Sequence, residues 1–215
     1  MAKLPPCIAL TPPALLLVFN PLTVKVPFID PKTKKEKGDP KYRATFIIPK
    51  TADMDAIKAQ LRAAAAAANP SVPYEKWKKP IKDGNKLIEK AIANGKSEGA
   101  LAYYKDCWVI ECKTDHLPDL SVANGTPKPT PVTGEEANVA FYSGAKVIGE
   151  LNFRAYEIDS GGDEPNRFIS AYHNFVLKIG DGPRFGRKSR DEVFKGVMGG
   201  QTKENPLEDE GGEDF

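Results

Sequence analysis

Residues 138–158 read NVAFYSGAKVIGELNFRAYEI, and the division of this run decides the fold. In its second half Val147, Leu151, Phe153 and Ala155 fall on one side of an extended chain, with Lys146, Asn152, Arg154 and Tyr156 on the other. A two-residue period of this kind is a strand with one buried face, and its opposite face is basic and aromatic. The run is long for one strand, and Gly144 and Gly149 offer a bulge, a turn or a barrel corner within it.

Working outward, similar strand-like runs occur at 100–113 (ALAYYKDCWVIECK) and 167–179 (RFISAYHNFVLKI). Upstream, LTVKVPFI (22–29) and YRATFII (42–48) have the β-branched and aromatic content of strands, joined by a long basic loop rich in Pro, Gly, Asp and Lys. Pro27 implies an edge or a bulge in the first of them. Between the hairpin and the later strands, DMDAIKAQLRAAAAAANP reads as one helix. Asp53 caps its first turn, Met54, Ile57, Leu61, Ala64 and Ala68 recur at three- and four-residue intervals, and Asn69-Pro70 ends it.

Residues 70–99 read as a polar connection with a short helix at 85–94, and 114–136, with Pro118, Pro127, Pro129 and Pro131, as a loop. From Gly180 onward regular structure fades into turns and a basic cluster. No internal repeat is present. The expectation is a mainly β domain with an inserted helix, built as a small barrel or sandwich.

The chain has 215 residues, 40% hydrophobic and 28% charged, enough for one sizeable domain with appendages. The apolar stretch ALLLVF (14–19), bounded by Pro12, Pro13 and Pro21, is too short to span a bilayer or to form a signal-peptide core. Three cysteines, Cys7, Cys107 and Cys112, form no disulfide framework and agree with a reducing, cytoplasmic setting. The net charge of +2 conceals an asymmetry. Residues 204–215 carry six acids and no Lys or Arg; the other 203 residues set 31 basic against 23 acidic side chains, a balance of +8. A basic body with an acidic tail is the pattern to be explained.

Several chemistries find no support. Cys107, Cys112 and His116 have a superficially zinc-like spacing, but residues five apart on a strand point to opposite faces. There is no phosphate-binding glycine loop and no nucleophile-elbow serine. A metal-dependent nuclease would need Asp83, Asp106 and Asp115 to converge, and nothing in their spacing brings them together. No catalytic residue, cofactor or metal is expected.

The positive signal is basic residues interleaved with aromatics. The hairpin loop supplies Lys32, Lys34, Lys35, Lys37, Lys41 and Arg43; YEKWKKPIK supplies Tyr74 and Trp77 among Lys76, Lys78, Lys79 and Lys82. AYYKDCW brings Tyr103, Tyr104 and Trp108 around Lys105; Lys146, Arg154 and Tyr156 follow, and RFGRKSR adds Arg184, Arg187, Lys188 and Arg190. Single-stranded nucleic acid calls for this pairing, because its backbone needs cations while its unstacked bases offer π-faces, each worth about 1–3 kcal/mol when stacked on an aromatic ring. No strong basic recognition helix for a duplex groove is visible.

YRATFIIPK (42–50), KPIKDGN (79–85), FYSGAKVIGELNFRAYE (141–157), FISAYHNFVLKIGDGPRFG (168–186) and the terminal EDF together resemble the phage-encoded single-stranded-DNA-binding proteins with an acidic C-terminal tail ending in an aromatic residue. The likeness runs from about residue 18 to the end, leaving the proline-rich opening and the alanine-rich helix end without a counterpart. It implies an OB-fold, a five-stranded Greek-key barrel, with an N-terminal extension at 1–17, a DNA-binding domain at 18–198 and a disordered acidic tail at 199–215.

By the same resemblance, the protein coats single strands in phage replication, recombination and repair in the host cytoplasm, with no membrane partner. The tail residues Glu208, Asp209, Glu210, Glu213, Asp214 and Phe215 would contact phage DNA polymerase and helicase-primase and compete with DNA. Homodimerisation is compatible with the sequence. Seventeen residues extend to about 60 Å, enough to cross a domain of this size. Two other functions stand beside this one: a strand-annealing recombination mediator that also binds duplex, and the metal-dependent nuclease.

Overall fold

The computed structural model describes residues 6–30, 33, 35–159, 161 and 164–185. The expected contacts of Lys32, Lys34, Arg187, Lys188 and the acidic residues through Phe215 lie outside that range, as does the boundary at 199. The compact unit ends at Phe185.

The chain opens with two short strands, β1 (Cys7–Leu10) and β2 (Ala14–Leu17), separated by Thr11-Pro12-Pro13. Both are strands of the main sheet, and Cys7, Ala9, Ala14 and Leu16 are buried. Residues 7–17, expected as an extension before the domain, thus supply two strands to its sheet. The apolar ALLLVF stretch is β2 and its exit. Among the described residues no helix is long and apolar enough to cross a membrane.

β3 (Val26–Ile29) pairs with the start of β4 (Glu36–Pro49), with a register shift between Val26 and Phe28, at Pro27. The second half of the expected basic loop is strand: β4 begins six residues early, and its edge portion accommodates Gly38 at φ 73° and Pro40, which an interior strand would not tolerate. Helix α1 (Asp55–Ala68) follows, with the Asp53 carboxylate accepting from the Asp55 amide at 2.8 Å. Ile57, Leu61, Ala64 and Ala65 are its buried stripe.

A short strand β5 (Ile81–Asp83) leads into α2 (Gly84–Ala93), where the Asp83 side chain caps Asn85. Residues expected to begin a strand at 100 form instead a 3₁₀ segment, Glu98–Tyr104, made of two short turns kinked at Leu101. Strand pairing starts only at β6 (Cys107–Thr114), after Asp106 turns the chain at φ 53°. Asn85 holds that turn from both sides, its side-chain oxygen accepting from the Asp106 amide at 2.8 Å and its side-chain nitrogen donating to the Asp106 carboxylate at 3.1 Å.

Within the expected 114–136 loop, β7 (Asp119–Val122) and β8 (Thr130–Pro131) form, and β7 lies parallel to a later strand that gives its backbone groups partners. The deciding run divides at Gly144. Helix α3 (Gly134–Ala140) precedes it and β9 (Lys146–Ile158) follows. Gly144 has φ 107°, and a Cβ there would collide with the Pro183 carbonyl oxygen. Gly149 is needed for packing, since a Cβ would run into the fully buried Phe46 ring.

The last strand is β10 (Asn166–Gly180). It is antiparallel to β9 along nearly its whole length, with bulges at His173/Phe175 and Lys178/Gly180. Pairings run from β2 to β4, β4 to β6, β6 to β10, β10 to β9 and from β9 back to β2; β6–β10 is parallel and the others antiparallel. The protein is thus mainly β with few helices.

Two apolar clusters organise the sheet. The larger lies on its core face, with Leu16, Phe46, Ile48, Ile110, Val147, Leu151, Phe153 and Val176 under the apolar stripe of α1. Complete burial of one such side chain contributes roughly 1.5–3 kcal/mol. The smaller sits on the outer face of β4 and β6, where Leu17, Ile47, Tyr104 and Val109 are covered by Leu87, Leu101, Tyr103 and Phe185.

Candidate nucleic-acid interface

Covering only part of the outer β4–β6 face leaves an open groove of about 1030 Å³ beside the smaller cluster. One wall is the β2–β4 connection, with Phe19, Val26, Pro27 and Phe28; the floor is Arg43 and Thr45 of β4 with Glu111 of β6; the other wall is α2 and the 3₁₀ segment, with Lys90, Lys96 and Tyr103. Phe19 is 83% exposed and Phe28 45% exposed. Large aromatic rings kept in water at a groove rim are the unusual observation here, since burial would otherwise stabilise them.

The electrostatics are one-sided. Glu111 is paired with Lys82 at 2.7 Å. Arg43 lies over the Phe28 ring at 5.6 Å, and its Nε is buried with no hydrogen-bond partner among the described residues. Lys90, Lys96 and, directly opposite Arg43 in the ladder, Lys113 form no ion pair among the described residues. A floor guanidinium and rim ammonium groups beside apolar rings can meet a phosphate chain and its bases together.

The sequence-derived residues divide between this groove and other places. Arg43 and Tyr103 line it. Tyr104 also borders it, but its ring is buried in the smaller cluster, and burial holds its phenol well above the usual range. Trp77 is a correction. It is 1% exposed, packed in the main core, and cannot offer a face to a base. Trp77 follows the 3₁₀ turn Tyr74–Lys76 in extended backbone. Tyr74, half-buried, lies beneath Lys79 at 4.6 Å and Arg62 at 5.7 Å. Trp108 is half-buried against the core with Lys50 at 5.2 Å from its ring.

Among the cations, Lys35, Lys105 and Lys146 are exposed. Lys41 is paired with Asp115 at 3.0 Å, Lys82 with Glu111, and Lys78 donates to Asn166 at 2.7 Å. Arg184 caps the Tyr142 ring at 4.1 Å. Arg154 and Tyr156 project from the outer face of β9, as the alternation in that strand requires.

The candidate nuclease acids do not assemble. The Lys50 ammonium hydrogen-bonds Asp83 and holds its carboxyl below the usual range, and Lys41 does the same for Asp115 at the far end of β6. Asp106 is engaged by Asn85. Cys107 and Cys112 lie in different clusters on opposite sheet faces, and no metal-binding group of His, Cys, Asp and Glu occurs among the described residues. Sequence reasoning missed Phe19, Phe28, Lys90 and Lys96. The signal for the first two was a nearby proline, Pro21 for Phe19 and Pro27 for Phe28, which marks a connection or an edge strand with a register shift.

A mainly β sheet whose outer face carries a cleft of exposed rings, with cations that form no ion pair among the described residues, suits a single strand of nucleic acid. The chain belongs to the family of the ssDNA-binding protein of Enterobacter phage Enc34, whose family model matches residues 25–205. Among solved structures, the single-stranded DNA-binding protein of bacteriophage Enc34 in complex with ssDNA aligns at TM-score 0.56 and 19% identity, over 83% of this chain and 89% of that one. Its C-terminal truncation aligns at TM-score 0.56 and 18% identity, over 83% and 88%. At such identity these likenesses establish the fold. Comparison with curated protein sequences gives no match.

Proposed function

We propose that this protein is a non-enzymatic, sequence-independent coat for single-stranded DNA, and that the groove over β4 and β6 is where the strand enters. The observation that carries this reading is the placement of exposed Phe19 and Phe28 beside Arg43, which has no ion pair among the described residues. The circuit of pairings, with its single parallel step between β6 and β10, supports assigning an OB-fold. In that fold the second and third strands, here β4 and β6, and the loop after the first strand form the oligonucleotide face. The family supports DNA as the ligand.

On this reading the protein works in phage replication, recombination and repair in the host cytoplasm, and its acidic tail contacts replication proteins and competes with DNA. The tail contributes six negative charges opposite a +8 body. A tether of its length would give it a local concentration in roughly the millimolar range. Deleting residues 204–215 should tighten DNA binding; an unchanged affinity would reduce the tail to a solubilising role.

The test is titration of oligo-dT and of a duplex hairpin with the full chain at low salt. Strong preference for the single strand is expected. Equal binding of the hairpin with accelerated annealing would favour the annealing mediator, and degradation of the strand with Mg²⁺ would favour the nuclease.

A further inference from the structure

The proline-rich opening of the chain plays no part in the groove, and no residue of β1 lines it. β1 ends the main sheet. It pairs with β9 along one side, and its other side has no strand partner among the described residues. The Thr11 amide donates to the Gly149 carbonyl at 2.8 Å, one step beyond the Leu10–Glu150 pair. Bonding direction alternates along an antiparallel ladder, so Ala9 and Thr11 turn their main-chain groups to β9 while Ile8 and Leu10 turn theirs, N–H and C=O alike, to the open side. The side chains of Cys7 and Ala9 are buried, whereas Ile8 is 39% and Leu10 60% exposed.

An open apolar edge is a template for another strand, and proteins ordinarily guard one with a charge. No charged residue occurs between Lys3 and Lys25. Pro6 and Pro12 bound the edge instead, since neither has an N–H to give. They end a ladder without closing the two positions between them.

About Ala9 the sequence mirrors itself: Ile8 matches Leu10, Cys7 matches Thr11 and Pro6 matches Pro12. A two-fold contact demands self-complementarity of this kind. With two antiparallel copies centred on Ala9, Ile8 of each faces Leu10 of the other, each such pair exchanges both main-chain bonds, and Pro6 facing Pro12 ends the ladder symmetrically. Moving the axis to Ile8 or to Leu10 sets a proline opposite a carbonyl that then lacks a donor.

We propose that β1 is a self-association edge, at which two copies of this chain pair through antiparallel β1 strands centred on Ala9. A four-residue strand makes a small contact, well below the roughly 1,200–2,000 Å² of a stable interface. The pair therefore forms and separates with protein concentration. An isologous contact uses the edge of both copies and closes at two, so it does not grow into a filament. The inference is independent of the groove reading, because it needs no DNA.

The experiment follows the full chain without DNA over a wide concentration range by sedimentation velocity and by hydrogen exchange of the opening peptide. A monomer–dimer equilibrium is expected, with the amides of Ile8 and Leu10 slowing in step with the dimer. Leu10→Lys places its ammonium opposite Glu150 of its own chain and beside Ile8 of the other copy. It should weaken association about tenfold with unchanged Tm, Ile8→Lys should do the same, and Leu10→Val should keep the dimer. A dimer left intact in folded Leu10→Lys and Ile8→Lys would overturn the proposal. Protection of the two amides at every concentration would assign the edge to a segment of the same chain, and fast exchange in a chain that stays monomeric would leave it to an extended peptide of another protein; either result overturns self-association.

Discussion

Phe185 stacks on Tyr103 with ring centroids 4.7 Å apart and planes 23° from parallel. Tyr103 in turn meets Tyr104 edge-on at 4.6 Å and lines the groove. The residue at which the compact unit ends is therefore a wedge behind one groove wall, held also by its amide donating to the Ser143 carbonyl at 3.0 Å.

Replacing Phe185 by Ala should remove a stack of about 1 kcal/mol beyond its area term, lower Tm by roughly 2–4 °C for the stack alone and further for the lost burial, and weaken oligo-dT binding by loosening Tyr103. Thermal unfolding and titration of the same preparation check both. A lowered Tm with unchanged affinity would separate the wedge from the groove.

Phe19→Ala and Phe28→Ala should each cost about 1–3 kcal/mol of binding if the ring stacks on a base. Because the Phe19 ring is largely in water, Tm should move little for Phe19→Ala; Phe28, 45% exposed and beneath Arg43, should show a somewhat larger drop. Paired titration and melting data decide: a stability loss without a binding loss would make these rings structural.

Gly144→Ala is expected to destabilise the fold by roughly 1–3 kcal/mol or more, because the methyl group meets the Pro183 carbonyl at a φ that disfavours any side chain. Denaturant unfolding measures it. The same substitution at exposed Gly125, where a Cβ meets nothing but φ is 77°, should cost less.

His173 is fully buried on the core face of β10, and neither ring nitrogen has a hydrogen-bond partner among the described residues. Burial lowers its pKa to about 4. The unfolded chain therefore takes up a proton near pH 6.5 that the folded chain refuses. Stability attributable to neutral His173 is present above about pH 6.5 and falls as pH drops towards 4, by about 3 kcal/mol in all. Below that range, loss of the ion pairs that depress Asp83 and Asp115 adds to the decline. Unfolding free energy followed from pH 7 to 4 should show this slope, and His173→Leu should flatten it.

Much of the architecture is legible in the sequence because its periodicities are local. The alternation from Val147 to Tyr156, the stripe from Met54 to Ala68 and the break at Pro27 each follow from a few adjacent residues. The 3₁₀ segment before Cys107 was not legible, because Tyr103 and Tyr104 have strand-like composition and are held off the sheet by long-range packing against Ile47 and Phe185. β7 forms only because β10 supplies its partners. For the site, Arg43 and Tyr103 could be named from charge and aromatic content. Trp77 shares that content, and only the tertiary fold shows that it is core while Phe28 is rim.

The most direct test of the groove is photocrosslinking of a short 5-iodouracil oligonucleotide to the full chain, followed by peptide mapping. Crosslinks on Phe19, Phe28 or Tyr103, reduced by Arg43→Gln, are predicted. Efficient crosslinking confined to residues outside the groove would contradict the account.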